Sequence, residues 1–300
     1  MFKSLMVYRI GPAWSASVSQ MEQSLDKARF APCGASQPQS AGWVEPRGMA
    51  HAPLVESVGT QLLLRLQTEC RLLPSAVVKR RTEELVNQVE QTTGRKPGKK
   101  QAKELKEQAV LELLPMAFTK QAAINVWIDP RHRLLMLDAG SPKRAEEVVT
   151  ALVKSLDGFA VNPVQTAQSA VVSMSEWLVS GEPPVAFTVD RECELKASDA
   201  MKSVVRYARH PLDIEEVRQH IAAGKQPTRV ALTWNGRVSF ELTESMQIKK
   251  VDFLDVVFEG RQAKGEDGFD ADAAIATGEL GHLIADLIDA LGGEQELMAA

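Results

Sequence analysis

The sequence is short of several things that usually announce a function. It has three cysteines in 300 residues, Cys33, Cys70 and Cys193, widely spaced and odd in number. No C-x-x-C pair occurs, so neither a disulfide framework nor a zinc ribbon is indicated, and all three are expected to be reduced and at least partly buried. No run approaches the ~20 apolar residues needed to cross a membrane. The richest apolar stretch, Gln61 to Leu66, is interrupted by Arg65. Lys3 is followed by Tyr8 and Arg9 before any secretory core forms, so a cytoplasmic protein is expected. The five histidines, His51, His132, His210, His220 and His282, fall in five separate segments with no H-E-x-x-H pairing. No G-x-S-x-G elbow or Cys–His arrangement is visible either.

Two near-matches to functional motifs fail on inspection. Gly94 to Lys100 resembles a phosphate-binding loop, but its spacing is one residue short and Lys100 stands where a Ser or Thr would hold Mg²⁺. Asp267, Asp270 and Asp272 suggest a carboxylate metal site. Ala274, however, stands where an EF-hand needs its third ligand, with no glycine after it. The simpler reading makes Asp270 the cap of a final helix and Asp272 a residue of its first turn, where negative charge is favoured. Neither an enzyme nor a bound cofactor is expected.

What is present is an ordinary soluble composition, 44% apolar and 25% charged, in a chain long enough for about two domains. Net charge is −4, which alone argues against a nucleic-acid partner. Its distribution argues the other way. Residues 79–106 carry nine basic side chains against Glu83, Glu84, Glu90 and Glu104, whereas residues 252–300 carry twelve acidic ones against Arg261 and Lys264. Such polarisation is what a local anion-binding surface on an otherwise acidic protein looks like.

The pattern along the chain predicts an α+β protein, with mixed sheets and helices in two lobes plus a projecting αα-hairpin. Alternation predicts a strand over Leu5–Ile10, helical spacing a helix over Ser15–Phe30, and one or two strands over Thr60–Leu73. Ser75 is expected to cap a helix to about Gln91, and a second helix follows over Lys99–Leu114, with Gly94 and Pro97-Gly98 between them. A β-hairpin is expected over Ile124–Asp138, a helix from Ser141 to Leu156, and a junction over Gly158–Pro163. Val171–Val179 fits helix or strand equally. Strands are read at Phe187–Leu195, Ser203–Tyr207 and Ile248–Phe253, a helix capped by Asp213 runs to Ile221, and Ala271–Leu291 reads as a closing helix. Val230, Leu232 and Trp234, then Asn235-Gly236, then Val238, Phe240 and Leu242 give the strongest hairpin signal. The expected partition is 1–74 with 119–160 as an N-terminal α/β lobe, 75–118 as an inserted hairpin tip, and 161–300 as a C-terminal α+β lobe.

Basic clusters are the candidate binding residues: Lys79, Arg80 and Arg81; Arg95 and Lys96; Lys99, Lys100 and Lys103; Arg131 and Arg133; Arg206, Arg209 and His210. They are read at turns or element ends, where they can meet a phosphate backbone without reading bases. Any one cluster is also compatible with a plain solvated surface. The hairpin tip is distinctive, since residues 95–106 hold six basic side chains and one acid, Glu104.

Several segments together resemble the RdgC family of recombination-associated proteins. They are Leu5-Met-Val-Tyr-Arg-Ile10, Phe30-Ala-Pro-Cys-Gly34, Gly42-Trp-Val-Glu-Pro46, Leu113-Leu-Pro-Met-Ala-Phe118 and Trp127-Ile-Asp129. Further on come Glu215-Glu216 with His220 to Lys225, Phe269-Asp-Ala-Asp272 with Thr277-Gly-Glu-Leu280, and Gly292-Gly-Glu294. The resemblance implies a DNA-binding protein, not an enzyme: a ring-shaped homodimer whose basic inner surface encircles duplex DNA. It further implies binding of single and double strands with little sequence preference, restraint of the RecA recombinase, and a place at the nucleoid. It puts Phe118 at a hydrophobic contact between the two subunits' tips, although an ordinary core phenylalanine remains the alternative. It puts Arg209 and His210 at a DNA-facing loop; there relatives carry Lys-Gln, and here Pro211 follows. Two other readings stand beside it, a metal-dependent nuclease using Asp270 and Asp272, and a regulator that binds RecA without DNA.

Overall fold

A computed structural model describes residues 2–259 and 268–295. Asp267 of the acidic trio lies outside them. The first elements are β1 (Ser4–Ile10), α1 (Val18–Asp26), β2 (Gln39–Val44), β3 (Glu56–Val58), β4 (Gln61–Arg71), α2 (Ser75–Thr93) and α3 (Lys99–Leu113). A 3-10 turn at Leu114–Met116 leads to β5 (Thr119–Asp129), β6 (Leu134–Asp138), α4 (Pro142–Ser155), β7 (Val161–Pro163) and α5 (Ala170–Ser180). The remainder is β8 (Phe187–Ala197), β9 (Val204–Tyr207), α6 (Glu215–Ala222), β10 (Lys225–Trp234), β11 (Val238–Thr243), β12 (Ile248–Phe253) and α7 (Gly268–Ala290). The protein is therefore mixed α+β, with antiparallel strand pairing throughout these ladders and seven α-helices among the described residues. It divides into two compact units, one made of residues 1–21, 55–64 and 125–300, the other of residues 22–54 and 65–124.

In the first unit the strand order runs β5-β6-β1-β12-β11-β10-β8-β9. The predicted hairpin closes it: Trp234 pairs with Val238, and the turn between them, closed by the Arg237 N–H on Trp234 O, has Asn235 (φ 48°) and Gly236 (φ 63°) at its centre. Both central residues have the positive φ that matches the twist of the flanking strands. Alternate residues Val230, Leu232, Phe240 and Leu242 face one core with Met174 and Trp177 of α5 and Leu280, Leu283, Ile284 and Leu287 of α7. The ambiguous segment at 171–179 is thus a helix. Ser169 Oγ accepts the Val172 N–H at 3.4 Å at its start, and Gly181 ends it at φ 73°. Residues 161–163, read as part of a junction, form β7 and pair with β1, Asn162 opposite Arg9.

Helix starts are where expectation and structure differ most. Helix α1 begins three residues after Ser15, because Ser17 Oγ accepts the Gln20 N–H while Gln20 Oε1 accepts the Ser17 N–H, a reciprocal cap. Ser75 is the first residue of α2, with Pro74 in the capping position, and Ile214, not Asp213, caps α6. Asp270 lies within the first turn of α7.

The second unit pairs β2 with β4 and carries the α2–α3 hairpin. At Gly42 an added Cβ would lie 2.4 Å from the Phe30 backbone. Only glycine admits the chain crossing there, where the Phe30 N–H donates to Trp43 O and the Trp43 N–H to Ala28 O. The hairpin turns at Gly94 (φ 69°), and a small seam of Leu85, Leu105 and Ala109, flanked by Val86 and Val89, holds its helices together.

Candidate nucleic-acid interface

The hairpin's nine basic residues do not form one patch. Lys79, Arg80 and Arg81 lie inside α2, not at an element end. From Arg81 to Arg95 the helix advances roughly 20 Å at 1.5 Å per residue, so this cluster sits at the opposite end of the hairpin from the turn. It is also largely paired. Lys79 meets Glu83 at 3.8 Å, Arg80 meets Glu84 at 3.9 Å, and Arg81 bridges Glu84 (2.9 Å) and Glu112 of α3 (2.7 Å). Hydrogen bonds from Arg81 and Gln108 hold the Glu112 carboxyl below the usual range. Arg81 is a strut between the two helices.

The turn is different. Arg95, Lys96, Lys99 and Lys100 are exposed, and no carboxylate lies within 4 Å of them among the described residues. Lys103 meets Glu107, at 3.8 Å. Lys99 and Lys100 are the first two residues of α3, whose first turn has no acid and whose start, Gly98, supplies no side-chain cap. The free N–H groups of a helix start carry positive potential, and lysines there oppose it. The arrangement is locally unfavourable alone and favourable beside an anion.

The candidates in the first unit are spread, and Arg133 and Arg206 are engaged within the fold. Arg131 is exposed in the β5–β6 turn. Arg133, at φ 54°, turns its guanidinium inward to donate to Gly11 O and to Trp14 O. Arg206 lies within β9, at the far end of the strand order from β5. Arg206 and Arg229 both hold Glu194 at 2.5 Å. Burial pushes the Glu194 carboxyl up, but hydrogen bonds from Arg206, Thr228 and Arg229 outweigh that and leave it at about 2. Two arginines thus share one carboxylate. Arg209 is exposed at φ 56°. His210 is exposed, its Nδ1 2.8 Å from Pro211 O and its ring 5.8 Å from that of Tyr207.

Phe118 is not a core residue: it is 86% exposed. Met116 (75%) and Leu111 (60%) are exposed in the same stretch of chain, an apolar edge at the base of the hairpin. A network missed in the sequence fixes this stretch. The Leu72 N–H donates to Phe118 O at 2.8 Å. Arg71 donates to Leu114 O (3.0 Å) and Ala117 O (3.2 Å) on one side, and to Cys33 O (3.3 Å) and Gly34 O (3.1 Å) on the other. Glu69, two residues earlier and so on the same side of β4, accepts from the Gln121 side chain and the Cys33 N–H, each at 2.7 Å, which lowers its carboxyl. The only sequence signal was the i, i+2 placement of an acid and a base at a strand end. The alternation sends Cys70 outward, so it is exposed, against expectation; Cys33 is half-buried and Cys193 is buried, its thiol pushed up to about 12 by burial.

Asp270 and Asp272 lie two apart on α7, a spacing that points side chains to different faces of a helix. Among the described residues no group of three or more His, Cys, Asp or Glu is placed to hold a metal ion. Also among them, no helix is long and apolar enough to cross a membrane.

A family model described as "Putative exonuclease, RdgC" matches residues 1–294. Curated relatives match over nearly their full length. The chain is 45% identical over 298 residues to "Recombination-associated protein RdgC" of Janthinobacterium sp. (strain Marseille), covering 98% of this chain and 99% of that one. It is 43% identical over 299 residues to the protein of that name in Dechloromonas aromatica, covering 98% of each, and 46% identical over 300 residues to that of Cupriavidus necator, covering 98% and 99%.

Proposed function

The chain belongs to the RdgC family of recombination-associated proteins, and from that premise we propose that it binds DNA, mainly duplex, without sequence preference and without catalysis. The observation that carries this is the α2–α3 turn. Four cations without carboxylate partners among the described residues and a fifth loosely paired one flank an uncapped helix start whose own electrostatics call for an anion. A phosphate backbone satisfies that need at any sequence. Two copies associate through the apolar edge bearing Phe118, as the family resemblance implies, and the resulting homodimeric ring encircles the duplex. Occupancy of DNA at the nucleoid then restrains RecA-mediated recombination, because a filament and a clamp compete for the same phosphates.

The test is a salt-titrated binding assay on linear and covalently closed circular DNA of one sequence. The expected result is a linear fall of log affinity with log salt on both, and a complex on the closed circle that survives salt at which linear DNA is released. Equal release from both forms ends the encircling model and leaves an open basic surface.

The family model's description favours a second reading, exonucleolytic cleavage. Its nearest carboxylates, Asp270 and Asp272, diverge on α7. Mg²⁺-dependent shortening of linear DNA by wild type, abolished by Asp270→Asn or Asp272→Asn, would establish it. The expected outcome is no shortening above a mock preparation.

A further inference from the structure

Arg71 is placed unlike the other cations of its unit. It is half-buried, no carboxylate lies within 4 Å of it among the described residues, and its guanidinium instead gathers four backbone carbonyls. Two belong to the loop at Cys33–Gly34 and two to the Leu114–Ala117 turn immediately before Phe118. The planar fork of arginine can serve both sides at once, and charge-assisted bonds of this kind are stronger than neutral ones. On the far side of Phe118, the Leu72 N–H holds its carbonyl. Phe118 therefore hangs outward from a backbone pinned on both flanks, with Arg71 and Leu72 adjacent in the chain at the end of β4. A free loop that carries an anchoring side chain loses backbone freedom when that side chain binds; a pinned backbone has lost most of that freedom already.

We infer that Arg71 is a positioning residue for self-association: it fixes the Leu114–Phe118 segment and so sets how tightly two copies meet through Phe118, without itself touching the partner. The inference rests on the proposed Phe118 contact.

Sedimentation equilibrium of the full-length chain tests it with Arg71→Lys, Phe118→Ala and the double variant. Phe118→Ala is expected to weaken association about 30-fold, the range of a truncated interface anchor. Arg71→Lys keeps the charge but cannot fork to both loops. It is expected to weaken association about fivefold, by loss of its bonds to one of the two loops, with unchanged monomer circular dichroism. Amide exchange in the 114–118 peptide should quicken. In the double variant the lysine should add less than about twofold to the effect of Phe118→Ala, because both act on one contact. Unchanged association in Arg71→Lys, or the full fivefold loss persisting in the double variant, overturns the inference while leaving the Phe118 contact standing. Unchanged association in Phe118→Ala removes the contact and the inference with it. If Arg71→Lys does not fold, Arg71→Gln takes its place, and unfolding of both shows Arg71 to be a plain structural residue and also overturns it.

Discussion

The basic residues of the hairpin turn and those of the sheet unit are of the same kind but have different attachments. At the turn, Arg95, Lys96, Lys99 and Lys100 end in solvent with no acid beside them among the described residues. In the sheet unit, Arg206 and Arg229 share Glu194, Arg9 binds Glu294, and Arg133 is folded back onto backbone carbonyls, while Arg131 and Arg209 stay exposed. Even within the hairpin the contrast repeats, since Arg81 is a strut and Lys99 is not. A count of lysines and arginines therefore overstates the charge available to a ligand. What distinguishes a binding cation from a structural one is whether the fold already supplies its counter-charge.

The same two regions differ in how they are held together. The sheet unit has one large core around Leu232, which is fully buried between α5, α7 and the sheet, whereas the hairpin's seam is a small cluster of Leu85, Leu105 and Ala109. Leu232→Ala should cost roughly 2–5 kcal/mol of stability by leaving a cavity. Leu105→Ala should fall at or below the bottom of that range, because the seam is narrow and solvent lies close. Denaturant unfolding of both variants measures it. A larger loss at Leu105 would make the hairpin, not the sheet, the stability-determining part.

Next in size is the effect on DNA. Replacing Lys99, Lys100 and Lys103 together by Ala should lower affinity on the order of 100-fold at low salt and flatten the salt slope by up to about 2.7, at ~0.9 for each phosphate no longer neutralised. Replacing Lys79, Arg80 and Arg81 should do much less to the slope, because Glu83, Glu84 and Glu112 already face them. Equal flattening by the two triples would show that pairing does not separate binding cations from structural ones.

Much of this was readable from the chain. The Asn235-Gly236 hairpin, the α2–α3 pair and the closing helix follow from periodicity and turn chemistry, which are local. Three-residue strands such as β3 and β7 are too short to carry a pattern. The fate of 171–179 depended on a core that the segment itself does not encode. Pairing was the least legible, because the partners of Arg133 and Arg71 come from Gly11, Trp14, Cys33 and Leu114, far along the chain. Phe118 illustrates the limit: its type suits a core and an interface equally, and its 86% exposure removes the core reading.

A smaller effect is expected at Arg133. Removing its side chain frees the carbonyls of Gly11 and Trp14 in a half-buried setting, a loss of about 1–2 kcal/mol. Arg133→Ala should therefore lower the thermal midpoint while changing the salt slope of DNA binding less than removal of a single turn lysine. Arg131→Ala, two residues earlier in the same turn and exposed, should do the reverse. A drop in slope at Arg133 with unchanged stability would return that residue to the binding surface.

The smallest effect belongs to Arg206, and it is visible chiefly in acid. The Glu194 carboxyl lies at about 2 in the folded protein against an ordinary 4.5. A carboxyl lowered by folding stabilises the fold above its unfolded value, and that contribution drains away as pH falls from about 4.5 toward 2. Arg206 supplies one of the hydrogen bonds responsible, yet its side chain is 70% exposed, so solvent screens it and Arg206→Ala should cost no more than about 1 kcal/mol at neutral pH. Arg229 and Thr228 remain, so the carboxyl stays below 4.5 in the variant, though less far below. Thermal midpoints of wild type and variant should differ by a small constant amount from pH 7 to about 5, then converge between pH 4 and 2 as Glu194 is protonated in both. Leu232→Ala, which touches no titrating group, should keep its deficit over the same range. A gap at Arg206 that persists to pH 2 would mean that the arginine supports the sheet by packing along β9 and not by holding the shared carboxylate.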